Sequence, residues 1–527
     1  MRNWIVMLLL LVAATALFSV PAVYYFDSVA VGDVNGPAFA NLWRMWAVPT
    51  ALSGDRTLDL PYRQLFAMEV NSQHVVPSIV LPLVLTPVTR LFGPTASVNL
   101  ILLLTLFFNG LCAYLFLRAV VGDHGPALAA GMAFAFSTYV LLRVAAGEAE
   151  MAGVFVLPLG AWAVVRLCDR PSNKTELTAF AALLFAFLWH VSFGWALLIF
   201  ALAAAIWTRW VDKQREATRM FLHVIGALAL VGLVIFILMM VRETFRESTA
   251  GLDVLELVFM PRTYADTVPY FLLIVAAYGL VRRPKDAAFW WASAMVLFAF
   301  SWGERLTVWG RATTIPGPFA LLPAGDPLPF AAMAQLCLAV PAAQTIRGAA
   351  EYIEKLRPND EGKLISICVL LGLAVSFFHL PNPAFKTTVP DAYGALFEIE
   401  DGAVLELPFS RTASINARYR YYQTVHRHRV VSGNPEPGVP RGLRGEILQV
   451  APSLAPLNHE PIDWVGLAEV VPTELKTQLR ELGVAAVALH PLDVPSGQRD
   501  LLETWCEQVF GAPQRRDEAT VIFRVGK

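Results

Sequence analysis

Apolar runs of membrane-spanning length alternate with short polar joints along the first three-quarters of the chain, and the pattern then stops. The runs fall at 4–25, 77–92, 97–117, 125–143, 151–167, 175–190, 192–207, 221–241, 268–281, 287–302, 328–344 and 364–380. Segments of this kind, repeated, predict a polytopic helical membrane protein. The first run ends in Tyr24-Tyr25, an aromatic pair suited to the membrane interface, and reads as an uncleaved first span.

The polar joints set the direction. Lys and Arg gather in "RLCDRPSNK" (166–174), "TRWVDKQREATRM" (208–220), "VRRPKD" (281–286) and "IRGAAEYIEKLRPNDEGK" (346–363). The positive-inside rule places all four in the cytoplasm, and Arg2 puts the N-terminus there too. An even number of spans must then separate residue 2 from residue 166. Five candidates lie between them, so one does not cross. The run at 77–92 is short and holds Pro77, Pro82 and Pro87, which break a helix. Read as re-entrant or juxtamembrane, it leaves about eleven spans. Residues 26–96, 144–150, 242–267 and 303–327 become outer loops, and the C-terminal region lies outside.

That region, 381–527, begins at "LPNP". "GAVLELPF", "VAAVALHP" and "ATVIFRV" read as strands, and "VPTELKTQLRELG" (471–483) as an amphipathic helix closed by Gly483. The expected architecture is a transmembrane domain over 1–380 followed by an extracytoplasmic α/β domain over 381–527.

Composition agrees with the pattern. The 527 residues are 56% hydrophobic and 16% charged, well on the apolar side of soluble domains. Mean hydropathy is +0.54. A formal net charge of −1 gives no basis for nucleic-acid binding. Five scattered cysteines show neither disulfide nor zinc spacing.

The acids at the ends of spans carry the candidate chemistry. "VGDVNGPAFANLWRMWAVPTALSG" places Asp33 before a helix that Pro37 can open and Gly54 can close. Such a helix would lie on the membrane surface, with Trp43 and Trp46 as headgroup anchors or as platforms for a sugar. Asp33 reads equally as a helix-end acid or as a general base that takes a proton from an acceptor hydroxyl. Glu148 and Glu150, in "GEAE", stand at the mouth of a span. Acids beside a bilayer are costly unless paired, solvated or used. Together with Asp33 they offer the oxygen ligands that a divalent metal such as Mg²⁺ or Mn²⁺ takes, or partners for sugar hydroxyls. Arg242, Arg246 and Arg262 on the outer side suit a donor phosphate, Arg262 above the others, and Arg305 and Arg311 lie in the next outer loop. "VHRHR" puts His426 and His428 on one face if it is a strand. With His459 and His490 they read as surface histidines.

These features together resemble the GT-C fold glycosyltransferases. The likeness is carried by "VGD" with Trp43 and Trp46, "LFGPTASVNL", "FVLPLGAWAVVRL", "VLELPF" and "YYQTVHRHRVVSGN". It is nearer still to bacterial GT-C-like membrane proteins with a C-terminal extracytoplasmic domain. The resemblance implies use of a polyprenyl-phosphate sugar donor at the outer face. Asp33 matches the catalytic aspartate of the first loop, with Asp27 as its alternate, and Glu148 or Glu150 the acid of the second. Two departures stand out. Relatives often carry Gly-His where Gly147-Glu148 stands, and "GDPLPFAAMAQ" lacks the arginines that commonly precede the tenth span. The expected activity is glycosyl transfer to an envelope glycan, lipid or protein acceptor at the bacterial inner membrane. The alternatives are a non-catalytic scaffold that binds envelope glycans through 381–527 and a transporter of lipid-linked sugar. Paired repeats and charges in mid-span, the signs of a transporter, are not evident.

Overall fold

A computed structural model of the chain describes residues 2–53, 76–211, 213, 216–226, 270–308, 311–322, 326–356, 365–369, 382–399, 402–408, 413–431, 450–458 and 462–525. The chain falls into two compact units. One comprises Met1–Tyr24, Gln73–Pro77 and Asn99–Pro383; the other comprises Tyr25–Ser72, Ser78–Val98 and Ala384–Lys527. Most of the first outer loop therefore shares a unit with the C-terminal region, where the sequence pattern had grouped it with the spans.

The first unit is helical. It contains α1 (Arg2–Phe18), most of α3 (Thr86–Val121), α4 (His124–Ala135), α5 (Thr138–Ala146), α6 (Val156–Asp169), α7 (Asn173–Trp189), α8 (Val191–Trp210), α9 (Tyr270–Arg282), α10 (Pro284–Ser301) and α11 (Leu328–Leu356). Among the described residues, four helical stretches are long and apolar enough to cross a membrane: Thr86–Val121, His124–Ala146, Val191–Trp210 and Leu328–Leu356. Parts of the runs expected at 221–241 and 364–380 lie outside the described residues. α11 packs against α4, α8, α9 and α10. Its small residues, "AAMAQLCLAVPAA", are buried and let neighbouring backbones come close. The same device joins α3 and α4, where a Cβ on Gly131 would meet the Tyr114 backbone nitrogen at 3.2 Å.

Residues 77–92 form no single spanning helix. A π turn at Val76–Val80 leads into four α-helical residues, Leu81–Val84, and α3 itself breaks at Gly93 (φ 86°, ψ 169°). The prolines interrupt the ladder.

The second unit contains α2 (Ala38–Leu52) and a five-stranded sheet ordered β6-β5-β7-β9-β8. β5 (Ala403–Leu407) lies parallel to both β6 (Arg429–Val431) and β7 (Val484–Leu489). β9 (Val521–Arg524) runs antiparallel to β7, and β8 (Arg515–Arg516) antiparallel to β9. Leu405, Leu407, Val487, Leu489 and Phe523 share one core with Leu475 and Leu479 of α13 (Pro472–Glu481) and with Leu502, Cys506 and Val509 of α14 (Arg499–Phe510). Those helical positions repeat at three and four residues, the spacing of one buried stripe.

A small ladder in this unit constrains the membrane topology. β1 (Val29–Val31), just past the first span, pairs antiparallel with β4 (Ala384–Lys386), just past the last apolar run. Strands that hydrogen-bond to each other lie on one side of any bilayer the chain spans. The chain between them must then cross an even number of times.

Candidate functional site

The acids of "GEAE" occupy a built site in the helical unit. α5 ends at Ala146, and Gly147 takes the left-handed conformation (φ 81°) that turns the chain back. The Glu148 amide then donates to Arg143 O at 2.9 Å. The loop that follows is non-helical yet largely buried, so its backbone groups need partners. Asn109, in the middle of α3, supplies two: its Nδ2 donates to Ala152 O at 2.8 Å, and its Oδ1 accepts from the Phe155 amide at 2.8 Å. Trp189 Nε1, at the end of α7, donates to Glu150 O at 2.9 Å. Gly153 lets that indole close in, since a Cβ there would meet the Trp189 ring at 2.7 Å.

Glu148 is thereby aimed at Arg143, in the last turn of α5, and the two form an ion pair. Arg143 NH2 also donates to Asp326 Oδ2 at 3.0 Å. Asp326 stands just before α11, where its Oδ1 accepts from the Leu328 amide at 2.9 Å. Its own amide donates to Ser192 Oγ at 2.6 Å, and the Ser192 amide to His190 Nδ1 at 3.1 Å. The joints after α5 and before α11, which the charge pattern assigned to one face, thus meet at one place with the joint between α7 and α8. The Arg143, Glu148 and Asp326 side chains are 15%, 26% and 24% exposed, so the cluster is open to solvent on one side. Burial holds the Asp326 carboxyl above the ordinary carboxylate range, against the pull of Arg143.

Tyr139, one turn before Arg143, lies beneath the guanidinium, with the arginine carbon 5.5 Å from the ring centre. The residue is 2% exposed, and its hydroxyl meets no partner in hydrogen-bonding geometry among the described residues. Leaving such a group unbonded costs about 1–3 kcal/mol.

The sequence reading offered Glu148 and Glu150 as ligands for a metal or for sugar hydroxyls. As arranged, Glu148 and Asp326 do not suit Mg²⁺ or Mn²⁺. A guanidinium already stands between the two carboxylates, and Asp326 spends its second oxygen on a backbone amide. Among the described residues no three His, Cys, Asp or Glu side chains converge as a metal site. Asp326 and Arg143 were not picked out from sequence. The signal that marked Glu148, an acid at the mouth of a span, was equally present in "GDPLPF".

Asp33 and Asp27 belong to the second unit, and both are exposed. Asp33 Oδ1 accepts from the Asn35 amide at 2.9 Å, and its carbonyl accepts from the Gly36 amide at 2.9 Å, a tight turn ahead of α2. Pro37, not Asp33, is the N-cap of α2. The helix does not offer Trp43 to headgroups. Trp43 is 6% exposed, with its Nε1 donating to Gln423 Oε1 at 3.2 Å and Arg420 5.6 Å from its ring. Trp46 packs against the cluster of Trp43, Ala47, Val48 and Ala51. The amphipathic stripe faces α12 (Ala413–His426) instead of lipid. Trp43 is therefore unavailable for stacking on a sugar. Arg242, Arg246 and Arg262 lie outside the described residues, as does His459. Arg305 is exposed on β2 (Arg305–Val308), and Arg311 opens β3 (Arg311–Pro316).

Two histidines of the second unit, His426 and His490, are buried and not on its surface. "YYQTVH" is helical, and His426 ends α12, buried and stacked on Tyr393. His490 follows β7 and donates from Nε2 to Glu406 Oε2 at 2.7 Å, while Tyr393 Oη reaches both Glu406 oxygens at 2.9 Å. Thr520 Oγ1 lies 3.2 Å from His490 Nδ1. Tyr419 Oη donates to Asp493 Oδ2 at 2.8 Å, and Arg418 pairs with the other Asp493 oxygen. Burial, followed by the nearby carboxylates of Glu406 and Asp493, raises the Tyr393 and Tyr419 hydroxyls well above their ordinary range. Tyr393, Glu406, His490 and Thr520 form one connected network that holds the ends of β5 and β7 together.

No protein-family model matches the chain, and no curated protein matches it in sequence. Solved structures do. Arabinofuranosyltransferase AftD from mycobacteria aligns with 100% of this chain and 42% of its own, at 14% identity and a TM-score of 0.59. This chain thus spans less than half the length of that one. The oligosaccharyltransferase AglB from Archaeoglobus fulgidus, in complex with an inhibitory peptide and a dolichol-phosphate, aligns with 92% of this chain and 69% of its own, at 12% identity and a TM-score of 0.41. These neighbours are GT-C fold glycosyltransferases, and this chain is GT-C-like in fold.

Proposed function

We propose that the chain is an integral-membrane glycosyltransferase that moves a sugar from a polyprenyl-phosphate donor to an envelope acceptor on the outer face of the membrane. Two observations support this reading. The whole chain follows the fold of an arabinofuranosyltransferase, and its described span ends bring Arg143, Glu148 and Asp326 together at one solvent-open place. Fold alone does not fix an activity, so the weight rests on the two together.

In this reading Asp33 is the general base. An exposed carboxylate held in a turn accepts the acceptor hydroxyl's proton as that oxygen bonds to the anomeric carbon. The bond from that carbon to the phosphate oxygen breaks, and the prenyl phosphate leaves from the opposite face, with inversion. Asp27 is the alternate base. Arg262, with Arg242 and Arg246, would receive the leaving phosphate. No step runs through a metal, because Glu148 and Asp326 are committed to Arg143.

The test is transfer by the purified chain in lipid nanodiscs from a synthetic prenyl-phosphoryl sugar, read as release of prenyl phosphate. Asp33→Asn is expected to lower the rate by about 10²–10⁴, the range of a lost general base, with folding intact. Undiminished transfer by Asp33→Asn overturns the assignment.

A further inference from the structure

The charge balance of the Arg143 cluster selects among ligands. One guanidinium faces two carboxylates, Glu148 and Asp326, so the formal sum is −1. A phosphate brought here would meet more repulsion than attraction. A divalent cation would have to displace the guanidinium that already bridges the acids. A neutral polyol meets neither obstacle, because sugar hydroxyls donate to carboxylates and accept from an arginine without any change in net charge. The Tyr139 hydroxyl supplies a second sign: it is buried beside the cluster, and among the described residues no group meets it in hydrogen-bonding geometry.

We propose that Tyr139, Arg143, Glu148 and Asp326 form a subsite for the hydroxyls of a neutral sugar ring, not for the donor phosphate or a metal. The class of ligand rests on the transferase reading; the choice within that class rests on the cluster's charge. Asp326 and Glu148 accept from ring hydroxyls, Arg143 fixes the planes of both carboxylates, and Tyr139 takes up the remaining hydrogen bond. Ser192 holds the Asp326 backbone and acts as a positioning residue.

The test uses the full chain in nanodiscs with a methyl pentofuranoside and a methyl hexopyranoside as probes, followed by saturation-transfer NMR, with inorganic phosphate and MnCl₂ as competitors. Saturable glycoside binding is expected, unaffected by either competitor. Asp326→Asn should weaken it by about tenfold and Tyr139→Phe by about fivefold, the worth of a charged and a neutral hydrogen bond. Tyr139→Phe guards against misfolding, since removing an unbonded hydroxyl should leave the melting temperature unchanged or raised. Competition by a farnesyl-phosphoryl sugar would identify the ring as the donor's; competition by a methyl disaccharide alone would identify it as the acceptor's. Either supports the subsite. Unchanged glycoside binding in both variants overturns it, as does saturable phosphate or Mn²⁺ binding that Arg143→Gln removes. Glycoside binding lost in the variants, with no transfer by the wild-type chain, leaves the subsite standing and removes the transferase reading.

Discussion

Arg143 and Asp326 stand 183 positions apart and meet at 3.0 Å, an ion pair that ties the end of α5 to the start of α11. With Glu148 on its other side, Arg143 is the hub of the cluster. Removing it strands two part-buried carboxylates. Arg143→Ala is expected to cost about 2–3 kcal/mol, below the 3–5 of a fully buried pair because all three side chains keep some solvent. In a double-mutant cycle with Asp326→Ala, read by thermal unfolding in detergent, the two effects should be non-additive by about 1 kcal/mol or more. Strict additivity would mean that the two residues do not act on each other.

Asn109 is the second hub, and a less obvious one. A buried amide in the middle of a membrane helix holds the Glu148 loop through one donor and one acceptor. Asn109→Leu keeps the volume and strands both loop groups, at about 2–4 kcal/mol. Hydrogen exchange over 148–155 should accelerate in the variant while exchange within α11 stays slow. Unchanged protection of that loop would assign it to other contacts.

How far the sequence led depends on what each signal measures. The proline-rich run at 77–92 and the strands β5, β7 and β9 were visible because they follow from local backbone chemistry. Glu148 was visible as an acid at a span end, but its partner Asp326 was not, because hydropathy and charge counts carry no information about which helix ends meet. The stripe of Phe39, Leu42, Trp43 and Trp46 was read correctly as an amphipathic helix and wrongly as lipid-facing. Periodicity reports that a face is buried and is silent on whether lipid or protein covers it. His426 and His490 were placed on the surface because the residues that enclose them, Tyr393, Tyr419 and Glu406, lie elsewhere in the chain.

His426 gives the second unit a defined response to acid. Burial, with a smaller contribution from the neighbouring His428, lowers its pKa from 6.5 to about 3. Its Nδ1 accepts from the His428 amide at 3.1 Å, which fixes the neutral ring. The unfolded chain binds a proton below pH 6.5 that the folded chain refuses. Stability is therefore whole above pH 6.5 and falls as pH drops toward 3, by about 1.4 kcal/mol per pH unit from this group. Melting temperatures measured between pH 7 and pH 5, where few carboxylates titrate, should decline in the wild-type chain and decline less in His426→Phe, which keeps the stack on Tyr393. Identical slopes would place the acid sensitivity in other groups.

The β1–β4 ladder makes the topology testable without any assay of activity. Val29–Val31 pairs with Ala384–Lys386, so residues flanking the two strands must share a side of the membrane. Val34 and Thr388 are both exposed beside the ladder, and Lys174 is exposed in the first turn of α7, within the basic segment 166–174. On a background lacking the five native cysteines, Val34→Cys and Thr388→Cys should react with a membrane-impermeant maleimide added to intact cells stripped of their outer wall. Lys174→Cys should react only after permeabilisation, because the positive-inside rule holds that segment in the cytoplasm. Opposite behaviour of positions 34 and 388 would break the ladder and with it the even count of crossings. Labelling of position 174 from outside would invert the whole assignment and put the Arg143 cluster on the cytoplasmic face, away from any donor presented outside.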